Sequence, residues 1–91
     1  MVETEYLESI GFVGFSSSPY NLYKDYTKDW TSLKITHWVV DNKFTIDGKK
    51  MMACDFKELF DMNNVVTIIG SYDKFKLFKR KRIIEKTLDN G

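Results

Sequence analysis

The sequence predicts a single small α+β domain, with an antiparallel sheet of about five strands and two or three short helices. Three observations lead to this prediction. In the middle of the chain, apolar and polar side chains alternate over short stretches that are separated by turn residues. Helical spacing of apolar residues is confined to short segments. The 91 residues, 43% of them hydrophobic, suffice for one core but not for two.

The N-terminal part is predicted to form a helix followed by a strand. Tyr6, Leu7 and Ile10 share one face at helical spacing, which predicts a helix over residues 4–10. A segment rich in Gly, Ser and Pro follows, and it indicates an irregular connection. Residues 20–26 are dense in aromatic side chains and are therefore predicted to form the first strand.

The central part contains the strongest strand pattern. Over residues 32–40, Leu33, Ile35 and His37 alternate with more polar neighbours, and β-branched and aromatic types dominate. An Asp-Asn pair then predicts a tight turn into a strand over residues 43–46. The Asp-Gly pair that follows predicts a hairpin into a strand over 49–53, so the strands should form an antiparallel meander.

The sequence DFKE at residues 55–58 has the form of a capping box. It predicts a helix over 56–62 that lays its apolar side chains on the sheet and ends at an Asn-Asn pair. The apolar run at 65–69 is short and predicts a buried strand. After a turn, alternating Phe, Leu and Lys predict a strand through Phe78, followed by a terminal helix.

Few side chains could support catalysis or hold a cofactor. His37 and Cys54 are the single histidine and cysteine of the chain. Each has a simpler role, His37 as a structural residue of a strand and Cys54 as a small buried hydrophobic residue. No metal-binding spacing of Cys and His is present, and no glycine-rich phosphate loop follows a strand. We therefore expect no enzyme activity, no cofactor and no metal.

A basic C-terminal segment is one candidate contact surface. Residues 73–91 carry a net charge of +4, whereas residues 1–72 carry −3. Such a segment suits nucleic-acid phosphates or an acidic protein surface, and its simpler interpretation is the solvated face of a terminal element. The predicted contact residues are Lys74, Lys76, Lys79, Arg80, Lys81 and Arg82.

An aromatic stretch is the second candidate surface. Tyr20, Tyr23, Tyr26 and Trp30, together with Trp38, are more rings than one face of a strand in a small fold can hide. Tyr and Trp often anchor protein interfaces, because they bury much area at little entropic cost. Ordinary core and rim packing is the alternative. A flat aromatic edge strand also leaves a homodimer open.

The expected location is the cytoplasm of a host cell. The first residues lack the basic and apolar pattern of a signal peptide, and no stretch approaches the roughly 20 apolar residues of a membrane span. A lone cysteine excludes an intramolecular disulfide, which fits a reducing compartment. We therefore expect no membrane partner.

Three segments carry a resemblance: YLESIGF at 6–12, YKDY at 23–26 and WTSLKI at 30–35. Over about the first 46 residues the chain resembles small prophage and mobile-element proteins of AT-rich Gram-positive bacteria. By analogy, such proteins include inhibitors of host defence, among them anti-CRISPR proteins that occupy a site on a nuclease. The resemblance implies a binding module for a larger host protein or nuclease complex, and a nucleic-acid accessory or regulatory protein is the alternative.

Overall fold

The chain forms an α+β fold, as the sequence predicts. The computed structural model describes residues 1–16, 18–47 and 50–89, and of residues 50, 51 and 86–89 only the backbone. The described residues contain five strands and four helices, one more helix than predicted. In chain order these elements are α1 (Val2–Ser9), β1 (Val13–Phe15), β2 (Tyr23–Thr27), β3 (Lys34–Trp38), β4 (Lys43–Ile46), β5 (Lys50–Cys54), α2 (Phe56–Leu59), α3 (Asn63–Ile69) and α4 (Tyr72–Asp89).

The sheet is the predicted antiparallel meander, in which each strand pairs with the next one along the chain. Tyr26 lies opposite Ile35, Ile35 opposite Ile46, and Phe44 opposite Cys54. All five side chains are buried, and they share one face because cross-strand partners point to the same side. This face carries the core.

Aromatic rings join the helices to that face of the sheet. Phe56 of α2 contacts Phe44 of β4 at 5.1 Å between ring centroids and Phe75 of α4 at 4.8 Å. Tyr6 of α1 stacks on Phe75 at 5.4 Å. The helices therefore cover one side of the sheet, and among the described residues the other side carries none.

Two polar contacts fix α1 against the C-terminal helices. The Tyr6 hydroxyl donates to the Ile69 carbonyl oxygen at 2.7 Å, and burial raises the pKa of Tyr6. Arg82 binds Glu5 through two hydrogen bonds, at 2.7 and 3.1 Å. These contacts span most of the chain, so the first and last helices depend on each other.

The strand boundaries differ from the prediction at both ends of the sheet. The segment 13–15 was predicted to be irregular, yet it forms edge strand β1. Gly14 allows this pairing, because a Cβ there would lie 2.6 Å from the Tyr26 ring. The strand predicted over 32–40 is shorter, since Val39 and Val40 belong to the turn that Asn42 completes with φ 52°. Part of the predicted Asp-Gly hairpin, Gly48 and Lys49, lies outside the described residues.

The predicted capping box does not form. Asp55 precedes α2, but its side chain makes no capping hydrogen bond and binds Lys43 at 2.6 Å instead. This hydrogen bond raises the pKa of Lys43. The helix α2 ends at Leu59 rather than at residue 62, and Phe56, Leu59 and Phe60 are buried as predicted.

The two strands predicted in the C-terminal third are wrong, because both segments are helical. In α3, Val65 and Ile69 are buried one turn apart, and the Asn-Asn pair begins this helix rather than ending the previous one. In α4, Phe75 and Phe78 face the interior three residues apart, whereas Leu77 is exposed. The buried side chains of these segments therefore recur with the 3.6-residue period of a helix and not with the two-residue period of a strand. None of the described helices combines the length and apolar character that crossing a membrane requires.

Candidate protein-binding surfaces

The side of the sheet that faces away from the helices is the open face. Its central row consists of Phe15, Asp25, Thr36 and Thr45, which are cross-strand neighbours on β1 to β4. The adjacent row, toward one end of the sheet, consists of Tyr23, Trp38 and Lys43. Aromatic rings thus lie beside short polar side chains on this face.

Hydrogen bonds hold the polar side chains of the open face in place. The Thr36 hydroxyl donates to Asp25 at 2.6 Å, and the Trp38 indole N–H donates to the Thr45 hydroxyl at 2.8 Å. The Tyr23 and Trp38 rings lie 4.9 Å apart. The Trp38 ring is therefore fixed by its neighbours, and a partner would meet a preorganised surface.

One end of the sheet concentrates exposed apolar side chains, and we call it the aromatic end. Tyr20 and Val40 are exposed to 82% and 83%. The five other members are Phe15, Leu22 and Val39, which are also exposed, and Tyr23 and Trp38, which are partly buried.

The segments of the aromatic end are linked by hydrogen bonds. The Val39 N–H donates to the Leu22 carbonyl at 3.0 Å, which joins the start of β2 to the end of β3. The Ser16 hydroxyl donates to the Asn21 side-chain oxygen at 3.0 Å, which joins the end of β1 to the segment before β2. The exposed side chains therefore belong to one surface rather than to separate loops.

Two residues of the predicted aromatic surface lie elsewhere. Tyr26 is 2% exposed and belongs to the core rather than to the surface. Trp30 is 84% exposed but sits in the β2–β3 loop. Tyr23 pairs with Trp38 at one end of these strands and Thr27 with Lys34 at the other. Trp30 follows Thr27 and is therefore about 13 Å or more from the aromatic end along the strands.

The backbone of Trp30 is strained. Its φ is 62°, in the left-handed region that a bulky side chain enters only at a cost of about 1–2 kcal/mol. The Lys28 ammonium lies 5.5 Å from the Trp30 ring centroid. Glycine would adopt this backbone conformation without strain. The exposed Trp30 ring therefore adds both backbone strain and apolar surface in contact with water.

The basic segment lies on α4. Lys74, Lys76, Lys79, Arg80 and Lys81 are exposed, whereas Arg82 turns inward to Glu5. Residues 79–82 are consecutive, so on a helix they point in four different directions. The fold therefore does not gather the cations of residues 79–82 into one patch, although Lys74, Lys76, Arg80 and Lys81 all flank Leu77 on one side of α4. Nor does it bring them to the aromatic end, because α4 lies on the helical side of the sheet.

His37 and Cys54 are the two residues whose side chains could start a nucleophile–base pair, and both are buried on the core face. His37 lies 4.9 Å from the Phe44 ring and its Nε2 is 3.0 Å from the Asn42 side-chain oxygen. The Cys54 thiol faces the Phe44 carbonyl oxygen, and burial raises the pKa of this thiol. His37 and Cys54 lie on opposite sides of Phe44, about 10 Å apart across two strand spacings, so they form no hydrogen bond.

The sequence alone missed four members of the aromatic end, namely Phe15, Leu22, Val39 and Val40. The first lies in a strand that was not predicted. The two valines were placed inside a predicted strand, although the Asp-Asn turn signal directly after them indicated that the strand could already have ended.

No protein-family model, curated protein or solved structure matches the chain.

Proposed function

We propose that this protein is a non-enzymatic binding module that docks a larger protein on its aromatic end. The observation that carries the proposal is the exposure of Tyr20 and Val40, each above 80%, beside the Tyr23–Trp38 ring pair. Side chains of this kind expose apolar surface to water in the free protein, which is unfavourable. Burying one fully contributes about 1.5–3 kcal/mol, so a partner that covers several of them gains substantial affinity.

The composition of the aromatic end supports a protein partner. Interfaces are enriched in Tyr and Trp and depleted of charge at their centre. At this end the charged neighbours lie at the edge, as with Asp41 in the turn and Lys43 beside Trp38. Aromatic anchors surrounded by a polar edge are the arrangement of an interface hot spot.

The finer proposal is that the partner is a host defence nuclease complex and that the chain is a phage-derived, anti-CRISPR-like inhibitor. Its support is the resemblance of the first 46 residues to small prophage proteins. Inhibition of this kind needs no catalytic group. A rigid surface that occupies the site of a nuclease substrate is sufficient.

The alternative is a nucleic-acid accessory protein that uses α4. Five exposed cations favour it, but it gives the exposed side chains of the aromatic end no role. Salt separates the two proposals, because phosphate contacts weaken steeply as salt rises and an aromatic protein interface weakens less.

The test is capture of partners from a Gram-positive host that carries an active CRISPR system. Tagged wild type is compared with Tyr20→Ser/Val40→Ser and with the control Glu58→Ser/Asp61→Ser, whose exposed side chains lie on the helical side. We expect a stoichiometric protein that survives nuclease treatment and is retained by the wild type and the control. It should be lost with the first double variant.

Two results would contradict the proposal. One is a partner that the Tyr20→Ser/Val40→Ser variant retains as well as the wild type does. The other is recovery of nucleic acid alone, removed by nuclease and by moderate salt, which would favour α4 as the functional element.

A further inference from the structure

The outward side of α4 carries an apolar stripe that is largely exposed. Leu77 and Ile84 lie seven residues apart and are exposed to 58% and 57%. Seven residues are close to two helical turns, so both side chains emerge on the same side. That side is opposite to Phe75, which faces the core. The stripe is narrow, as in the seam between two packed helices.

Two shallow depressions flank Leu77, and their geometry indicates what fits them. One is lined by Asp73, Lys76, Leu77 and Arg80 and has a volume of about 270 Å³. These positions follow the spacing i, i+3, i+4, i+7, which is the four-residue hole that accepts a side chain from a second helix in knobs-into-holes packing.

The second depression repeats this spacing. On α4 it is lined by Lys74, Leu77, Phe78 and Lys81, again at i, i+3, i+4, i+7, and its volume is about 280 Å³. Tyr6 and Ile10 of α1 form its other wall. Leu77 thus stands between two holes that an incoming helix could fill with apolar side chains.

The rims of both holes are positively charged. Lys76 and Arg80 line the first, and Lys74 and Lys81 line the second. The acidic member of the first, Asp73, is neutralised by Lys76 at 3.2 Å. A partner that fills these holes therefore meets cations on either side of its apolar stripe.

We infer that the outward side of α4 binds an acidic amphipathic helix of a partner protein. Apolar side chains of that helix would enter the two holes, and flanking Glu or Asp residues would pair with Arg80 at one rim and with Lys74 and Lys81 at the other. Charges beside an apolar seam select the partner in helix pairs. This surface lies on the helical side, away from the aromatic end, and it does not depend on the function proposed for that end.

Neither nucleic acid nor a membrane explains this surface as well. Binding of phosphates needs the cations but gives Leu77 and Ile84 no role. A helix that lies in a membrane interface needs a broad apolar face. Here Asp73 and Arg80 border the narrow stripe of Leu77 and Ile84.

The test uses a labelled helical peptide of about 21 residues, three heptads long, with Leu along one stripe and Glu on both flanks. Fluorescence anisotropy with the full-length protein measures its dissociation constant. A peptide of the same composition in shuffled order controls for charge alone. We expect the striped peptide to bind at least about tenfold more tightly than the shuffled peptide.

Variants of α4 assign the binding to the holes and their rims. We expect Leu77→Asp to weaken the striped peptide by about tenfold or more, and Arg80→Glu to do the same. Arg80→Glu should bind a peptide with Lys in place of Glu better than the wild type does. Lys57→Glu, an exposed charge reversal on α2, should change neither affinity. Circular dichroism verifies that each variant is folded.

Three results would overturn the inference. The first is no binding of the striped peptide by folded wild type. The second is equal binding of the striped and shuffled peptides. The third is tighter binding of a DNA duplex or of phosphatidylserine vesicles than of the striped peptide, with Arg80→Glu abolishing it, because the cations would then serve phosphates.

Discussion

Tyr6 shows how one side chain holds this small core together. Its ring lies within 6.4 Å of Phe56, Phe75 and Phe78, measured between centroids, and its hydroxyl donates to the Ile69 carbonyl. It therefore connects α1 to α2, α3 and α4. The proton of this hydroxyl is needed for the hydrogen bond, which makes the contact sensitive to high pH.

The substitution Tyr6→Phe keeps the ring and leaves the Ile69 carbonyl oxygen without this donor. We expect a loss of about 1–2 kcal/mol in the free energy of unfolding at neutral pH, measured by urea denaturation. Because the pKa of Tyr6 is raised in the fold, its contribution is complete below about pH 10 and is lost as pH rises through the folded pKa. The variant should therefore lose less stability than the wild type between pH 9 and pH 11. Equal losses in the two proteins would contradict this account.

Trp30 provides a test of backbone strain. Both Trp30→Gly and Trp30→Ala remove the exposed ring, but only glycine occupies a φ of 62° without steric cost. We expect the glycine variant to be more stable than the alanine variant by about 1 kcal/mol in thermal unfolding. If the two variants unfold at the same temperature, Trp30 is not strained in solution.

At the scale of elements, β1 shows how a strand can depend on a missing side chain. Gly14 lies opposite Tyr26, whose ring is buried, so the β1–β2 pairing leaves no space for a Cβ. The strand has no alternating pattern of its own and forms because it fits against β2. Its formation places Phe15 on the open face.

We expect Gly14→Ala to lower the free energy of unfolding by about 1–3 kcal/mol through overpacking. In a double-mutant cycle, Tyr26→Leu should relieve part of this cost, so the double variant should be more stable than the sum of the single effects predicts. Additive effects, measured by urea denaturation, would show that Gly14 is not limited by the Tyr26 ring.

The elements also show what the sequence could predict. The strands over 34–38 and 43–46 and the Asp-Asn turn followed from local alternation and turn chemistry, because these segments pair with their neighbours along the chain. Over residues 65–69 and 74–78, the local sequence pattern fits a strand as well as a helix. There the contacts of Ile69 with Tyr6 and of Phe75 with Phe56 and Phe60 decide the structure, and those contacts come from distant parts of the chain.

The same limit applies to the candidate surfaces. The sequence predicted that Tyr20, Tyr23 and Trp38 belong to one surface and that the cations of residues 74–81 are exposed. It could not show that Tyr26 points into the core, because this depends on register. Nor could it show that the cations surround Leu77 on a helix, since that segment was predicted to begin as a strand.

At the scale of the whole molecule, the sheet separates two surfaces of different chemistry. The open face, which includes Phe15, Tyr23 and Trp38 of the aromatic end, lies on one side, and the basic outward face of α4 lies on the other. The layered core and the Glu5–Arg82 contact hold the helical layer in place. The molecule therefore has an aromatic surface and a basic surface that do not overlap.

The central claim is that the aromatic end contacts a protein, and site-specific photo-crosslinking tests it most directly. A photoreactive amino acid replaces Val40 in one variant and Asp61, an exposed residue on the helical side, in another. We predict one discrete crosslinked protein from position 40 in the host cell and none from position 61. Crosslinks of equal yield and identity from both positions, or none from position 40 while position 61 reacts, would contradict the account.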